Sequence, residues 1–293
     1  MNRLFVFTVP AALCLLSLVG SSARTAAQSS STRMDTVLAF APEDADFVAC
    51  VDVKRLTSFL EDTDYSAATR DAAAYLQNAW ADLGFTKEIL ETFKVEALCN
   101  FHIRGSGVHL MVIELGQALR ESDMRLLRML RPYIVYKQRQ GRNFLLFSKQ
   151  KNLAAKTLER ANAGKGDELS PMLRELATSL ADAPGWTALV TSQHVLERIY
   201  KLSGSTESRL PEIAELTAVQ SRVIELVENR ISIEFGFRYA TSERAQSLAN
   251  GLVARLGALF PDRDKESTIK ASTVYLKVFN ISFSELQQFL ARF

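Results

Sequence analysis

Ile231-Ser232-Ile233-Glu234-Phe235-Gly236-Phe237-Arg238-Tyr239-Ala240 alternates apolar and polar residues along its whole length. An extended chain with that period carries one face that can be buried and one that stays wet, so this stretch is a strand. Ala245, Leu248, Ala249, Leu252, Leu256 and Leu259 follow at helical spacing and supply the stripe that would cover it. Another extended segment comes next, and then a closing helix that starts at Ser284-Glu285-Leu286 and carries Leu286, Phe289, Leu290 and Phe293 on one side. Strand, helix, extended segment and helix over Ile231–Phe293 form the unit around which the rest of the chain is arranged.

A related unit occurs earlier. Asp46–Val53 is the first β-rich run, after Pro42, and Leu56–Phe93 is helical in character with a break at Gly84. Val95–Ile103 and Val108–Leu115 flank Gly105-Ser106 and read as a hairpin. Ala118–Leu130 returns to helix until Pro132. Tyr133–Gln138 and Asn143–Phe147 form a second hairpin around Gly141, and Asn152–Ala163 is a helix. After the glycine cluster Gly164-Lys165-Gly166 the pattern restarts: a helix over Met172–Leu180, then Trp186–Thr191 resembling Phe47–Val51, then a helix over Glu212–Val227 with Pro211 in its first turn. The pattern is thus written twice, about 130 to 140 residues apart, a longer period than that of solenoid repeats.

The fold class that follows is α+β: two related units in tandem, each a mainly antiparallel sheet with helices on one face. The first unit matches the ferredoxin-like order if Val95–Leu115 is its central hairpin. The expected organisation is a signal peptide over residues 1–27, a disordered tether over 28–40, a first unit over 41–166 and a second over 167–293.

Met1–Val19 has a basic start and an apolar run too short and too interrupted by Pro10 for a spanning helix. It reads as a cleaved secretory signal, with Gln28 as the mature N-terminus and cleavage after Ala23 as the alternative. Leu13 before Cys14 is too bulky for an acylation signal. A released periplasmic or extracellular protein is expected, with no transmembrane segment after cleavage. The composition, 47% hydrophobic and 23% charged with net charge +2, is that of an ordinary globular chain.

Two cysteines remain after the signal. Cys50 is out of phase with Phe47, Ala49, Val51 and Val53, whereas Cys99 is in phase with Val95, Ala97, Phe101 and Ile103. If each apolar set faces the helices, the sulfurs lie on opposite sides of the sheet, beyond bonding reach. Two separate thiols are expected, with a disulfide, which export would permit, as the alternative.

The opening Pro42-Glu43-Asp44-Ala45-Asp46-Phe47-Val48-Ala49-Cys50-Val51-Asp52-Val53 resembles the first strand of certain uncharacterised exported bacterial proteins. In those, a proline and an acidic residue precede a strand ending Val-Asp-Val, and the second half closes with an alternating strand, a helix and a Ser-Glu-Leu helix start. The resemblance implies an exported two-unit protein without an established activity, and it supplies no catalytic residues.

Among candidate sites the sharpest is a histidine pair. With Gly105 and Ser106 as turn residues the ladder opposes His102 and His109, close enough to share a metal ion, with Asn100 and Met111 as the next pair on that face. No third or fourth ligand stands at a recognisable spacing, and His194 is the remaining histidine. The plainer reading is two solvated strand histidines. A second candidate is basic: eleven Lys and Arg between Arg120 and Arg160 stand against Glu121, Asp123 and Glu159. Arg128, Lys137, Arg139 and Arg142 are the residues expected to meet an anionic partner, with Arg139 and Arg142 projecting together beside the turn. The plainer reading there is a solvated face.

Ser148-Lys149-Gln150-Lys151 matches the acylating Ser-x-x-Lys motif, but no Lys-Thr-Gly follows, and helix capping explains Ser148 better. There is no Gly-x-Ser-x-Gly, His-Glu-x-x-His, Cys-x-x-Cys or phosphate-binding loop, and no cofactor is expected. The expected function is a non-enzymatic exported or envelope-associated binding protein, its partner an anionic lipid or polysaccharide in preference to nucleic acid. A metal-assisted hydrolase centred on the histidine pair and a structural or assembly factor are the alternatives.

Overall fold

A computed structural model describes residues 36–52, 94–104, 108–130, 133–164, 169–192, 196, 210–227, 230–282 and 285. The signal-peptide reading of 1–27, residues 28–35, the helical reading of 56–93, the turn at 105–107, His194 and the closing-helix reading apart from Glu285 lie outside the described residues.

Among the described residues, ten strands form one antiparallel sheet. They are β1 (Ala45–Asp52), β2 (Val95–Ile103), β3 (Val108–Leu115), β4 (Ile134–Arg139), β5 (Arg142–Ser148), β6 (Gly185–Val190), β7 (Leu216–Val227), β8 (Arg230–Tyr239), β9 (Lys265–Lys270) and β10 (Thr273–Ser282). Their order is β4-β5-β3-β2-β1-β6-β7-β8-β10-β9. Read outward from the central pair, β1-β2-β3-β5-β4 on one side repeats as β6-β7-β8-β10-β9 on the other. Helix α1 (Glu121–Leu130) follows the third strand of the first set, as α5 (Ser242–Gly257) follows the third of the second. The architecture is therefore α+β with two related units in tandem, and Phe47–Val51 and Gly185–Leu189 are paired neighbours at the seam.

Both faces of the sheet are covered. On one, Met124 and Leu127 of α1 and Val253 and Leu256 of α5 pack with Phe47, Ala49, Leu98, Met111, Ile113, Ile233 and Leu276. On the other, α2 (Leu153–Asn162) and α3 (Pro171–Leu180) pack with Val48, Cys50, Cys99, Phe101, Val112, Phe144 and Trp186. Helices on opposite faces of the first unit, where the alternation argued for one, follow from β1 and β2 being apolar on both sides, as sheet-centre strands are.

That arrangement overturns the expectation of two thiols. Cys50 and Cys99 are directly opposed in the β1–β2 register, with Cα atoms 4.2 Å apart, and form a disulfide. The phase argument assumed one covered face, but Ala45–Val51 is buried at every position, so phase carries no information about side.

Four further expectations change. The first unit is not ferredoxin-like, since that order sets β1 beside a parallel strand, and here its neighbours β2 and β6 are both antiparallel. Glu212–Val227 is not one helix: α4 (Pro211–Ala214) is a single turn and Leu216–Val227 is β7. Thr217, Val219, Val223 and Ile224 are β-branched, and pairing to β6 and β8 on both sides decides the matter over helical spacing. Residues 36–40, placed in the disordered tether, are ordered: Val37, Leu38 and Phe40 are 2%, 3% and 0% exposed, and the Phe40 ring lies 5.1 Å from that of Phe144. Finally, Ser282 and Glu285 form a capping box, Ser282 Oγ accepting from the Glu285 N–H and the Glu285 carboxylate accepting from the Ser282 N–H, where the sequence suggested Ser284.

Candidate functional site

The β2–β3 register opposes His102 with His109 and Asn100 with Met111, as the hairpin spacing implied. All four share a face with Leu98 and Ile113, the α1 side of the sheet. A register shift between Ala45 and Phe47 marks a bulge in β1, and Asp46 sits in it. Bulges re-aim side chains, and here His102 Nδ1 lies 2.8 Å from Asp46 Oδ1. On the other strand Asn100 Nδ2 lies 3.2 Å from His109 Nδ1. The two imidazole centroids are 5.0 Å apart and tilted by 57°.

These are not the solvated strand histidines of the plainer reading. His102 is 9% exposed, Asp46 2% and Asn100 1%. Burial foremost, then the neighbouring His102 and Lys149, pushes the His109 pKa down to about 4, against a smaller opposing pull from Asp46. His109 is therefore neutral at ordinary pH. Among the described residues no group of three or more His, Cys, Asp or Glu side chains is arranged to hold a metal ion.

A pH dependence follows. In the unfolded chain His109 binds a proton as pH falls through about 6.5, whereas the folded protein refuses it until about pH 4. The depressed folded pKa makes stability complete above the upper value and lost as pH drops through this window, by roughly 3 kcal/mol in total. Urea unfolding of chelator-treated protein at pH 7.5, 5.5 and 4 should show that decline, and His109→Gln should flatten it. An unchanged slope in the variant would assign the acid sensitivity elsewhere.

The structure divides the basic run. Gln140 and Gly141 both have positive φ, 50° and 75°, forming the tight turn that joins β4 to β5. Arg139 and Arg142 are directly opposed across it and, with Lys137, project on the α2 side. The Arg139 guanidinium donates to the Ala161 carbonyl at 3.3 Å and lies over the Phe40 ring at 5.7 Å. Arg142 Nε is 3.5 Å from Glu114 Oε1, a carboxylate only 3% exposed. Arg142 Nη1 is buried and has no hydrogen-bond partner. Arg128, by contrast, is exposed on α1, in the layer over the other face. Arg120 pairs with Asp123, and Arg125 with Glu121, along the same helix. Lys137, Arg139 and Arg142 come together; Arg128 does not join them.

Ser148 does not occupy the N-cap position of α2. Its hydroxyl donates to the His109 carbonyl at 2.8 Å and accepts from the Gln150 N–H at 3.1 Å. Asn152 stands at that position, at φ 67°, and its side chain makes no capping hydrogen bond. Sequence reasoning missed Asp46 and Glu114 as site residues. No residue pattern around either marks it, and only pairing with another strand reveals its partner.

No protein family and no curated protein matches the chain. Among solved structures, crystal form III of TP0453 is similar over 87% of this chain and 98% of that one, with 11% identity and a TM-score of 0.51. Crystal forms IV and I of the same protein cover 87% of this chain and 94% and 97% of theirs, at 11% identity and a TM-score of 0.47 each. At this identity the likeness concerns the fold alone. Among the described residues, no helix is long and apolar enough to cross a membrane.

Proposed function

We propose that the protein is a non-enzymatic exported binding protein that engages an anionic group through Lys137, Arg139 and Arg142. The observation that carries this reading is the Arg142 guanidinium: it is held by Glu114 through Nε, while its buried Nη1 has no partner, and a second guanidinium stands opposite. An N–H left unmet in a partly dry place is a free-energy cost that a phosphate, sulfate or carboxylate oxygen removes, and guanidinium geometry suits such groups. The Cys50–Cys99 disulfide and the leader-like N-terminus support a periplasmic or extracellular setting. There the anion would be presented by lipid headgroups or acidic polysaccharide, with nucleic acid the least favoured source. A hydrolase centred on the two histidines is the weaker reading, because a catalytic zinc takes three protein ligands and keeps one open position.

The test compares retention of the protein on immobilised heparin and on vesicles containing phosphatidylglycerol, across a salt series. Basic side chains near an anionic surface contribute about 1 kcal/mol each, so Lys137→Gln with Arg139→Gln should weaken vesicle binding on the order of thirtyfold. Salt should weaken the wild type steeply and the variant little. Arg128→Gln, altered in the other layer, should bind as the wild type does. Equal retention of wild type, the double variant and Arg142→Gln on both surfaces would remove the three residues as an anion site.

A further inference from the structure

His102 and His109 each have one ring nitrogen engaged and one left over. Asp46 Oδ1 takes His102 Nδ1–H at 2.8 Å, which fixes the tautomer and leaves a lone pair on Nε2. Asn100 engages His109 at Nδ1, 3.2 Å away, and His109 Nε2 is buried without a partner. Asn100 Oδ1, in a side chain 1% exposed, is also without a partner. The oxygen and nitrogen of a carboxamide exchange by a half-turn about the terminal bond. With the nitrogen toward His109, Nδ1 accepts and the ring proton sits on Nε2, where nothing receives it. With the oxygen toward His109, Nδ1–H donates and Nε2 carries a bare lone pair. Both orientations make one hydrogen bond, and a cation at Nε2 selects the second.

We infer that His102 Nε2 and His109 Nε2 together bind one divalent transition-metal ion, with Asp46 and Asn100 orienting the two rings from behind. Three observations support this. A metal-bound histidine characteristically donates its other ring N–H to a carboxylate or amide oxygen; Asp46 already holds His102 in this way, and a half-turn of the Asn100 carboxamide gives His109 the same partner. The spacing permits it: an ion bonded at about 2.0 to 2.1 Å lies about 3.2 Å from each ring centroid, so centroids 5.0 Å apart subtend about 100° at a metal that both Nε2 atoms face. That angle is near those of tetrahedral and cis square-planar coordination. The pair also stands near the end of the β2–β3 ladder, where the His109 Nε2 is buried but belongs to a partly exposed side chain, so a small side-chain movement brings it to solvent, an ion and its waters.

The donor set selects the cation. Two imidazoles suit copper(II) and zinc, whereas calcium and magnesium require oxygen cages. Thiolate chemistry is closed, because Cys50 and Cys99 are joined to each other. Copper(II) leads in the order of affinities for nitrogen ligands and is the probe of choice. Asp46 supplies the compensating negative charge, and Lys149, whose charge acts on His109, opposes it.

The experiment is a titration of chelator-stripped full-length protein, disulfide intact, with copper(II), followed by calorimetry and by electron paramagnetic resonance. One equivalent should bind, with hyperfine structure from two imidazole nitrogens. His102→Gln and His109→Gln should each leave at most one such nitrogen and weaken binding more than tenfold. Asp46→Asn, which keeps size and shape, should keep both nitrogens and weaken binding about tenfold through the lost orienting charge. Lys137→Gln with Arg139→Gln should leave copper binding unchanged, which separates this site from the anionic one. No stoichiometric uptake by the wild type, or two-nitrogen coupling that persists in both histidine variants while far-ultraviolet circular dichroism reports an intact fold, would overturn the assignment. If a histidine variant loses its fold, Asp46→Asn decides: affinity equal to wild type counts against the site.

Discussion

Replacing both Cys50 and Cys99 by alanine is expected to lower folding stability by about 4 kcal/mol, the largest effect of any covalent change in the described residues. The two cysteines are 49 residues apart in sequence, and a cross-link over that separation removes much of the conformational freedom of the unfolded chain. Both are 2% exposed and belong to the cluster on the α2 and α3 side, so alanine also leaves space where sulfur packed. Urea unfolding of the double variant, and of wild type with and without reductant, measures the effect. A difference under about 1 kcal/mol would mean that the bridge constrains little that the sheet does not already fix.

Trp186→Ala should be nearly as severe, about 3 to 5 kcal/mol, because the ring is large and only 1% exposed. Its position makes it a test of the architecture as well. Trp186 on β6 is paired with Cys50 on β1, at the seam where the two units meet through backbone hydrogen bonds. The cluster around it draws on both units: Val48 and Phe101 from the first, Ala188 and Ala218 from the second. If the ten strands behave as one cooperative sheet, the variant unfolds in a single transition shifted to lower denaturant. Two separated transitions, with one at the wild-type midpoint, would show that the units are independently stable and that the seam contributes little.

The candidate sites were legible to different depths. The opposition of His102 to His109 depends on a hairpin register, and register follows from turn length and alternation, both local properties of 95–115. Burial of the pair was not local. It requires Asp46 to arrive from a strand 56 residues away through a bulge that no residue pattern announces. The basic run shows the opposite failure. Charges adjacent in sequence suggested one surface, but a helix that packs over one face of a sheet carries its charges away from a hairpin that faces the other. Arg128 and Arg142 are thereby separated by the thickness of the sheet.

Sequence alone determined the elements that alternate cleanly or carry a stripe: the β2–β3 hairpin, the strand over Ile231–Tyr239 with its helix, and the twofold recurrence of the pattern. Period-two and period-3.6 patterns are local records of which side of a segment is dry, and they survive without knowledge of neighbours. Tertiary structure decided what depends on having a neighbour on each side. Leu216–Val227 became a strand because β6 and β8 offered it two ladders, and the cysteines joined because the sheet centre is dry on both faces, which erases the phase that would have told them apart.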